Sequence, residues 1–136
     1  MRLFVDTSVW SLALRRDAPP VTPHVSFLSA ALQAGDLVFT TGLVLQELLQ
    51  GFAGPRARDG ILARFAPLPF LVPERADHVE AARIRNECRR RGVQVGTIDA
   101  LIGALCLRHE LTLLSTDGDF SRMADVRPLK VWQPEG

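Results

Sequence analysis

Short apolar runs alternate with longer segments of helical pattern along the chain. Five of these runs predict β-strands, because each is four residues long, mostly apolar and bounded by polar residues, glycine or proline. The predicted strands span residues 2–5, 37–40, 69–72, 111–114 and 129–132. The run at 69–72 gives the weakest strand signal, because it lies between prolines.

Seven segments between these runs predict helices. Thr7 or Ser8 can cap the first of them, and Gly35 and Gly92 end the second and the fifth. The predicted helices span residues 9–15, 24–34, 42–52, 56–65, 76–91, 98–107 and 120–124. Residues 17–23 contain three prolines and predict a loop.

The alternation of strands and helices indicates the fold class. Strands without a polar face are buried on both sides, which is typical of a parallel sheet between two layers of helices. No linker, internal repeat or low-complexity segment divides the 136 residues. We therefore predict an α/β fold with three layers, α/β/α, formed by a single domain over residues 1–136.

Composition and charge narrow the class of protein. Hydrophobic residues make up 47% of the chain, which fits a globular protein and excludes a largely disordered one. No apolar run approaches the roughly 20 residues of a membrane span, and the N-terminus enters a strand without a signal peptide. Cys88 and Cys106 have no partnering histidine motif, so we interpret both as ordinary thiols in a reduced, cytoplasmic protein. The net charge of +1 does not by itself indicate a nucleic-acid binder.

Five carboxylates stand where the predicted strands and helices can bring them together. Asp6 follows the first strand, and Glu47 lies a turn or two into the helix after the second. Asp99 opens the helix that leads to the fourth strand, and Asp117 and Asp119 follow that strand. Sites in open α/β sheets lie outside the carboxyl ends of the strands. The acids are therefore predicted to converge at one edge of the sheet.

Each acid also has a structural interpretation. Asp6 suits the N-cap of the first helix, and Asp99 in a first turn favours the helix dipole. Asp117 and Asp119 suit a turn followed by a helix cap. Glu47 is flanked by apolar residues at helical spacing, so the sequence gives it no broad polar face. Because acids are rarely buried without a partner, Glu47 argues most strongly for a functional site.

The negative charges of several carboxylates in one cleft repel one another and need to be balanced. Two unit charges about 4 Å apart repel by about 4 kcal/mol at an effective dielectric of about 20. Either some of the acids hold protons, or a cation lies among them. No histidine or cysteine stands at ligand spacing with them, and an all-oxygen site suits Mg²⁺ or Mn²⁺. Such an ion orients and activates water and stabilises charge on a phosphate oxygen.

Four motifs resemble those of the PIN-domain ribonucleases. They are Asp6-Thr7-Ser8, LVLQELLQG around Glu47, TIDALIGA around Asp99, and STDGDF at residues 115–120. The resemblance extends in order over residues 2–132, and the short length and the LVLQELLQG segment are most similar to the VapC toxins of bacterial toxin–antitoxin pairs. It implies a PIN-like fold with a five-stranded parallel sheet, and an endoribonuclease that depends on Mg²⁺ or Mn²⁺.

The resemblance also implies roles for individual residues. The acidic quartet that binds metal and supports catalysis would be Asp6, Glu47, Asp99 and Asp117. Groups that orient the ligands or water would be Asp119, Thr7, Ser8 and Thr116. The implied partners are an RNA substrate, a VapB-like antitoxin and a second copy of the chain in a homodimer. The apolar helices around Trp10 and residues 43–52 predict a groove for an antitoxin segment. Trp10 itself is interpreted as a core residue, with a partner surface as the alternative.

Arginines offer a candidate contact to RNA. Arg89, Arg90 and Arg91 form the densest basic run, at the predicted end of a helix, where cations also favour the helix dipole. Contacts between such a run and phosphates would add affinity without sequence choice. Further candidates of the same kind are Arg15, Arg16, Arg56 and Arg58.

Two other classes of function remain open. A receiver-type phospho-switch needs an acceptor aspartate after its third strand, where the segment PFLVPER offers only Glu74. A catalytically silent PIN-like module would bind RNA or protein without cleaving it. A nuclease assay with and without EDTA separates both from a ribonuclease.

Overall fold

A parallel four-stranded sheet lies at the centre of the computed structural model, which describes residues 1–15 and 22–135. Its strands are β1 (Arg2–Val5), β2 (Leu37–Phe39), β3 (Thr112–Leu114) and β4 (Lys130–Val131). Their order across the sheet is β2-β1-β3-β4. Leu3, Phe4 and Val5 are fully buried, and because successive side chains point to opposite faces, both faces of the sheet are covered. The predicted parallel α/β arrangement is confirmed.

Helices cover the sheet in two groups. The first group is α1 (Thr7–Ala13), α2 (Pro23–Gln33), α3 (Gly42–Gly51) and α4 (Pro55–Phe65). The second group is α5 (Arg75–Arg90), α6 (Thr97–Arg108) and α7 (Gly118–Ala124). In the first group α1 packs on α2 and α3, and in the second α6 packs on α5 and α7. Across the described ranges, no helix is long and apolar enough to cross a membrane.

Helix α6 runs through the core and carries Asp99 in its first turn. Its residues 100–106 are all buried, as expected for a helix that is apolar on every side. Gly103 allows α7 to pack closely, since an added Cβ there would collide with the sulfur of Met123. This packing fixes the start of α6 relative to α7, which follows β3.

The strand predicted at residues 69–72 is not confirmed. Within residues 69–72 the structure has a single parallel bridge, between Thr40 and Phe70. The Thr40 backbone N–H donates to the Pro69 oxygen at 3.1 Å. The ladder does not extend further, because neither Pro69 nor Pro73 has an N–H to donate.

The ends of the other predicted elements lie within two residues of the observed ends. The first helix begins at Thr7 rather than at residue 9, so Thr7 and Ser8 lie inside it and Asp6 occupies the N-cap position. The predicted capping by Thr7 or Ser8 is therefore wrong. Residues 17–21 of the predicted loop lie outside the described residues.

Candidate metal centre and active site

Asp6 is held at the carboxyl end of β1 by hydroxyl groups. Its backbone N–H donates to the Leu114 oxygen at 2.9 Å, which joins the ends of β1 and β3. Its Oδ2 accepts hydrogen bonds from Ser8 Oγ and Ser115 Oγ, both at 2.9 Å. The Asp6 side chain does not cap α1, although it occupies the N-cap position. The capping interpretation of Asp6 is therefore wrong, and its buried carboxylate is oriented by two serines instead.

Ser8 and Ser115 tie the start of α1 to the loop after β3. Ser8 Oγ accepts from the backbone N–H of Thr116 at 3.1 Å, and Ser115 Oγ accepts from that of Asp117 at 3.0 Å. The two hydroxyl oxygens lie 3.3 Å apart. Sequence reasoning missed Ser115, although it is the first polar residue after β3 and so corresponds to Asp6 after β1.

Asp99, Asp117 and Asp119 form a tight carboxylate cluster, in which one oxygen from each residue lies within 4.8 Å of the others. The Asp119 backbone N–H donates to Asp117 Oδ1 at 2.9 Å, so Asp117 also caps α7 as its structural interpretation predicts. Arg122 forms an ion pair with Asp119. The resemblance implied only an orienting role for Asp119, but by distance it belongs to the same cluster as Asp99 and Asp117.

The cluster carries unbalanced negative charge. Partial burial raises the pKa of Asp99 from 3.8 to about 7, and the neighbouring carboxylates of Asp6, Asp117, Asp119 and Glu47 add to the rise. Nearby negative charges disfavour ionisation of a carboxyl group, and their influence requires short distances. Asp99 therefore experiences the negative charge of the other four acids, and Asp6 and Asp117 follow the neighbouring parallel strands β1 and β3.

Glu47 lies on the exposed side of α3, close to the start of α1. Thr7 Oγ1 donates a hydrogen bond to Glu47 Oε1 at 3.1 Å, which links α3 to the start of α1. Glu47 is exposed, and so are Gln46 and Gln50 on the same helix. The sequence argument that Glu47 has no polar face is therefore wrong, because α3 turns one side to solvent. What connects Glu47 to the site is its bond to Thr7 and its charge near Asp99.

The donor atoms of this cluster fit a divalent metal ion. They are all carboxylate oxygens, and no histidine or cysteine within residues 1–15 and 22–135 belongs to the cluster. Hard divalent cations prefer such oxygen ligands. Arg122 balances only Asp119, so the charges that raise the pKa of Asp99 remain to be compensated. A bound cation would relieve this repulsion directly.

The predicted arginine run at the end of α5 is exposed but divides between surfaces. Arg89 lines a cavity together with Arg85, whereas Arg90 lines a separate one beside Glu87. Arg91 is the C-cap residue of α5. Arg89 and Arg90 therefore do not line one cavity.

Three of the other predicted arginines lie on α4 or just after α1. Arg15 and Arg56 line a concave surface between α1 and α4, and Arg58 is exposed on α4. Arg16 lies outside the described residues. Arg15, Arg56 and Arg58 form no ion pair with the carboxylate cluster in the part of the chain that is described.

Trp10 and the two cysteines belong to the core. Trp10 is 3% exposed, and its ring centroid lies 4.9 Å from that of Phe65. The interpretation of Trp10 as a core residue is therefore confirmed. Cys88 and Cys106 are buried free thiols whose pKa is raised by burial, which agrees with their interpretation as ordinary thiols.

Glu74, the acid that a receiver-type switch would have to use, lies at the N-cap of α5. Its carboxylate pairs with Arg108 at 3.6 Å, and its backbone N–H donates to Asp77 Oδ2 at 2.8 Å. Glu74 does not belong to the carboxylate cluster around Asp99. The receiver-type alternative therefore has no acceptor residue at the acidic site.

The fold and the site together define a class of protein. It is a parallel α/β protein with a carboxylate cluster where the central strands end. Residues 3–126 match the sequence model of the PIN domain. Because this match covers most of the chain, the protein belongs to the PIN-domain family. The PIN-like fold expected from its motifs is confirmed, with four strands rather than five among the described residues.

Similarity to individual proteins supports this family assignment. The chain is 32% identical over 118 residues to ribonuclease VapC23 of Mycobacterium tuberculosis (strain H37Rv), covering 84% of this chain and 90% of that protein. Its fold is similar to a structure of FitAB bound to an IR36 DNA fragment, with a TM-score of 0.80, 20% identity and 98% of each chain covered. It is also similar to VapBC2 from Rickettsia felis bound to a promoter DNA fragment, with a TM-score of 0.76, 17% identity, and 99% and 100% of the two chains covered.

Proposed function

We propose that this protein is a metal-dependent endoribonuclease and the toxin of a VapBC-type toxin–antitoxin pair. The observation that carries the proposal is the cluster of Asp99, Asp117 and Asp119, with oxygens within 4.8 Å and a pKa of Asp99 raised to about 7. The similarity to a protein named as a ribonuclease supports the same activity. The continuous hydrophobic core of the described residues supports a single domain over residues 1–136.

The metal would be Mg²⁺ or Mn²⁺, which carboxylate oxygens favour. Asp99 and Asp117 would bind it directly, and the geometry supports a third ligand in Asp119. Asp6 would contribute its Oδ1, since its Oδ2 is engaged by two hydroxyls. Glu47 would complete the quartet from α3, directly or through water.

The attacking group would be a water molecule rather than a side chain. The hydroxyls of Ser8 and Ser115 both donate to Asp6 Oδ2, so they act as positioning groups. Attack at phosphorus forms a new P–O bond, and the bond to the leaving ribose oxygen breaks. When bound, the ion would lower the pKa of this water and stabilise the charge that builds on the phosphate.

The protein's own residues prepare the site for this chemistry. Asp99 must release its proton before it can bind a cation, because its pKa lies near 7 in the absence of one. Thr7 fixes Glu47, and Ser115 fixes both Asp6 and the loop that carries Asp117. Hydroxyl groups therefore hold the carboxylates in place before any substrate binds.

The partners would be an RNA substrate, a VapB-like antitoxin and a second copy of the chain, in the cytoplasm. Candidate grooves for an antitoxin segment lie at both ends of α3. Leu43 lines a groove of about 300 Å³ with α5 and α6, and Phe52 lines one of about 430 Å³ with α1 and α4. An amphipathic segment laid into such a groove would bury its apolar face.

A cleavage assay tests the proposed function. Purified protein is incubated with several structured RNAs in Mg²⁺ or Mn²⁺, in EDTA, and in EDTA followed by excess metal. We expect cleavage that EDTA abolishes and metal restores. Cleavage that persists in EDTA contradicts the mechanism, and absence of cleavage on every RNA favours the silent PIN-like module.

Two further measurements test the partners. Light scattering coupled to size-exclusion chromatography reports the oligomeric state, and a monomer at high concentration would contradict the homodimer. Co-expression with the neighbouring open reading frame tests the antitoxin. A neighbouring product that fails to co-purify would contradict the proposed groove.

A further inference from the structure

A cavity of about 330 Å³ lies between the C-terminal half of α5 and the loop that leads to α6. Arg85 and Arg89 line one side of it, and loop residues 93–96 line the other. Because the two arginines are four positions apart on a helix, they share one face. The volume falls in the usual range of small-ligand pockets, roughly 300–1,000 Å³.

The cavity carries positive charge that no carboxylate of its lining balances. Arg85 Nε donates to the Val95 backbone oxygen at 2.9 Å, which orients the guanidinium and leaves its two terminal nitrogens for other partners. Within the described ranges, neither Arg85 nor Arg89 forms an ion pair. Guanidinium groups present paired donors that match the oxygens of a phosphate.

The cavity lies at the start of the helix that carries Asp99. Gly96 lines the cavity and is also the N-cap residue of α6, whose first turn carries Asp99. The Gly96 oxygen accepts the Ala100 N–H at 3.0 Å, so the helix is already formed at this point. Positions three apart share a helix face within one turn of about 5.4 Å. The cavity therefore begins within about one helical turn of the backbone of Asp99.

Arg90, the next residue along α5, has a different environment. It lines a separate concavity with Glu87 and Arg127, which pair with each other. Consecutive helix positions are rotated by about 100°, so Arg89 and Arg90 do not address the same site. Replacing Arg89 or Arg90 therefore removes the same charge from two different surfaces, which makes the two variants a matched comparison.

We propose that this cavity binds the nucleotide next to the scissile phosphodiester, with Arg85 and Arg89 holding its phosphate. The proposal rests on the ribonuclease function proposed above. A volume larger than a phosphate leaves room for part of the ribose or base, which favours single-stranded or looped RNA, whose bases can leave the stack. The two arginines bind and align substrate, while the acids perform the chemistry.

RNA binding by Arg89→Ala and Arg90→Ala tests the proposal. Both changes are made in an Asp99→Asn protein, so that a fluorescein-labelled single-stranded RNA of mixed sequence stays intact during anisotropy titrations. Arg89→Ala should weaken binding about tenfold and reduce the slope of log affinity against log salt by about 0.7, the value for one phosphate contact on a single strand. Arg90→Ala should change affinity by no more than about twofold. Equal effects of the two variants would overturn the proposal.

A modified substrate gives an independent test in the active protein. One phosphate beside the cut site is replaced by an uncharged methylphosphonate. We expect the wild type to lose about tenfold in kcat/KM and the Arg89→Ala variant to lose little, because it lacks the contact already. Similar losses in both proteins would contradict the cavity's role.

The outcomes separate this proposal from the function on which it rests. If wild-type protein neither binds nor cleaves RNA, the ribonuclease assignment fails and the cavity proposal fails with it. If the wild type cleaves RNA while Arg89→Ala and Arg90→Ala behave alike, only the cavity proposal fails. Because Arg89 is exposed and makes no ion pair among the described residues, its replacement should leave the fold intact.

Discussion

Ser115 Oγ donates a 2.9 Å hydrogen bond to Asp6 Oδ2 and joins residues 109 positions apart in the sequence. The same hydroxyl accepts the backbone N–H of Asp117 at 3.0 Å. One buried serine therefore connects the carboxylate after β1 to the loop after β3. Parallel pairing of β1 with β3 makes this possible, because it brings both carboxyl ends to the same edge.

Replacement of Ser115 by alanine should loosen this connection. We expect the free energy of unfolding to fall by about 1–2 kcal/mol, because the Asp117 N–H and one Asp6 oxygen lose a partner. RNA cleavage should fall as well, since Asp6 keeps only Ser8. Urea denaturation and cleavage rates measure both effects, with Ser121→Ala at an exposed position of α7 as the control. Unchanged stability and activity in Ser115→Ala would contradict the positioning role.

Divalent metal should stabilise the folded protein. The acids repel one another in the absence of a cation, and a ligand that binds only the folded state raises its stability by mass action. The melting temperature should rise with Mn²⁺ or Mg²⁺, and by less in Asp6→Asn and Asp99→Asn. Thermal unfolding with and without metal measures this. A wild-type melting temperature that does not respond to either metal would contradict a metal site.

Asp99 should make stability depend on pH when metal is absent. Between its ordinary pKa of 3.8 and its folded value of about 7, the folded state holds a proton that the unfolded chain has released. The folded state therefore binds more protons in this window, and stability falls as pH rises through it. Urea denaturation in EDTA at about pH 5 and pH 8 should show this loss in the wild type and a smaller one in Asp99→Asn.

Equal pH dependence in the wild type and in Asp99→Asn would contradict this assignment. Metal affinity should change in the opposite direction, because a cation competes with the proton on Asp99. Apparent affinity for Mn²⁺ should therefore rise up to about pH 7 and then level off. Titrations at several pH values measure it.

The buried Asp77 should depend on Arg108 for its stability. Asp77 is 2% exposed, and Arg108 Nε lies 2.8 Å from its Oδ1. Arg108→Ala leaves the carboxylate with the Glu74 N–H alone and should cost about 1–3 kcal/mol. Arg83→Ala, which removes an exposed pair 3.5 Å long with Glu80, should cost less than about 0.5 kcal/mol. Chemical denaturation compares the two, and equal losses would contradict the argument.

Much of the fold follows from the sequence because its strands lie in short, mostly apolar runs and most of its helices end near glycine or proline. The run at 69–72 fails as a strand for a reason already present in the sequence, since prolines remove the N–H groups that a ladder needs. A run of four residues with Pro69 at its start leaves only one bridge with Thr40. Apolar character alone does not distinguish such a run from a true strand.

The candidate site is less completely determined by the sequence. Strand order places Asp6, Asp99 and Asp117 near one another, but it does not say which oxygens meet. The close association of Asp119 with the cluster depends on the turn that begins α7, and the exposure of Glu47 depends on which face of α3 meets solvent. Both are set by tertiary packing rather than by local pattern.

The rate of RNA cleavage by wild type, Asp99→Asn and Asp59→Asn tests the central claim most directly. Asp99→Asn keeps the side-chain volume and removes a charge from the cluster, whereas Asp59→Asn makes the same change at an exposed position of α4. We predict that Asp99→Asn lowers the rate by roughly 100-fold or more, with an intact fold by circular dichroism, and that Asp59→Asn cleaves like the wild type. Metal-dependent cleavage by Asp99→Asn at the wild-type rate would contradict the account.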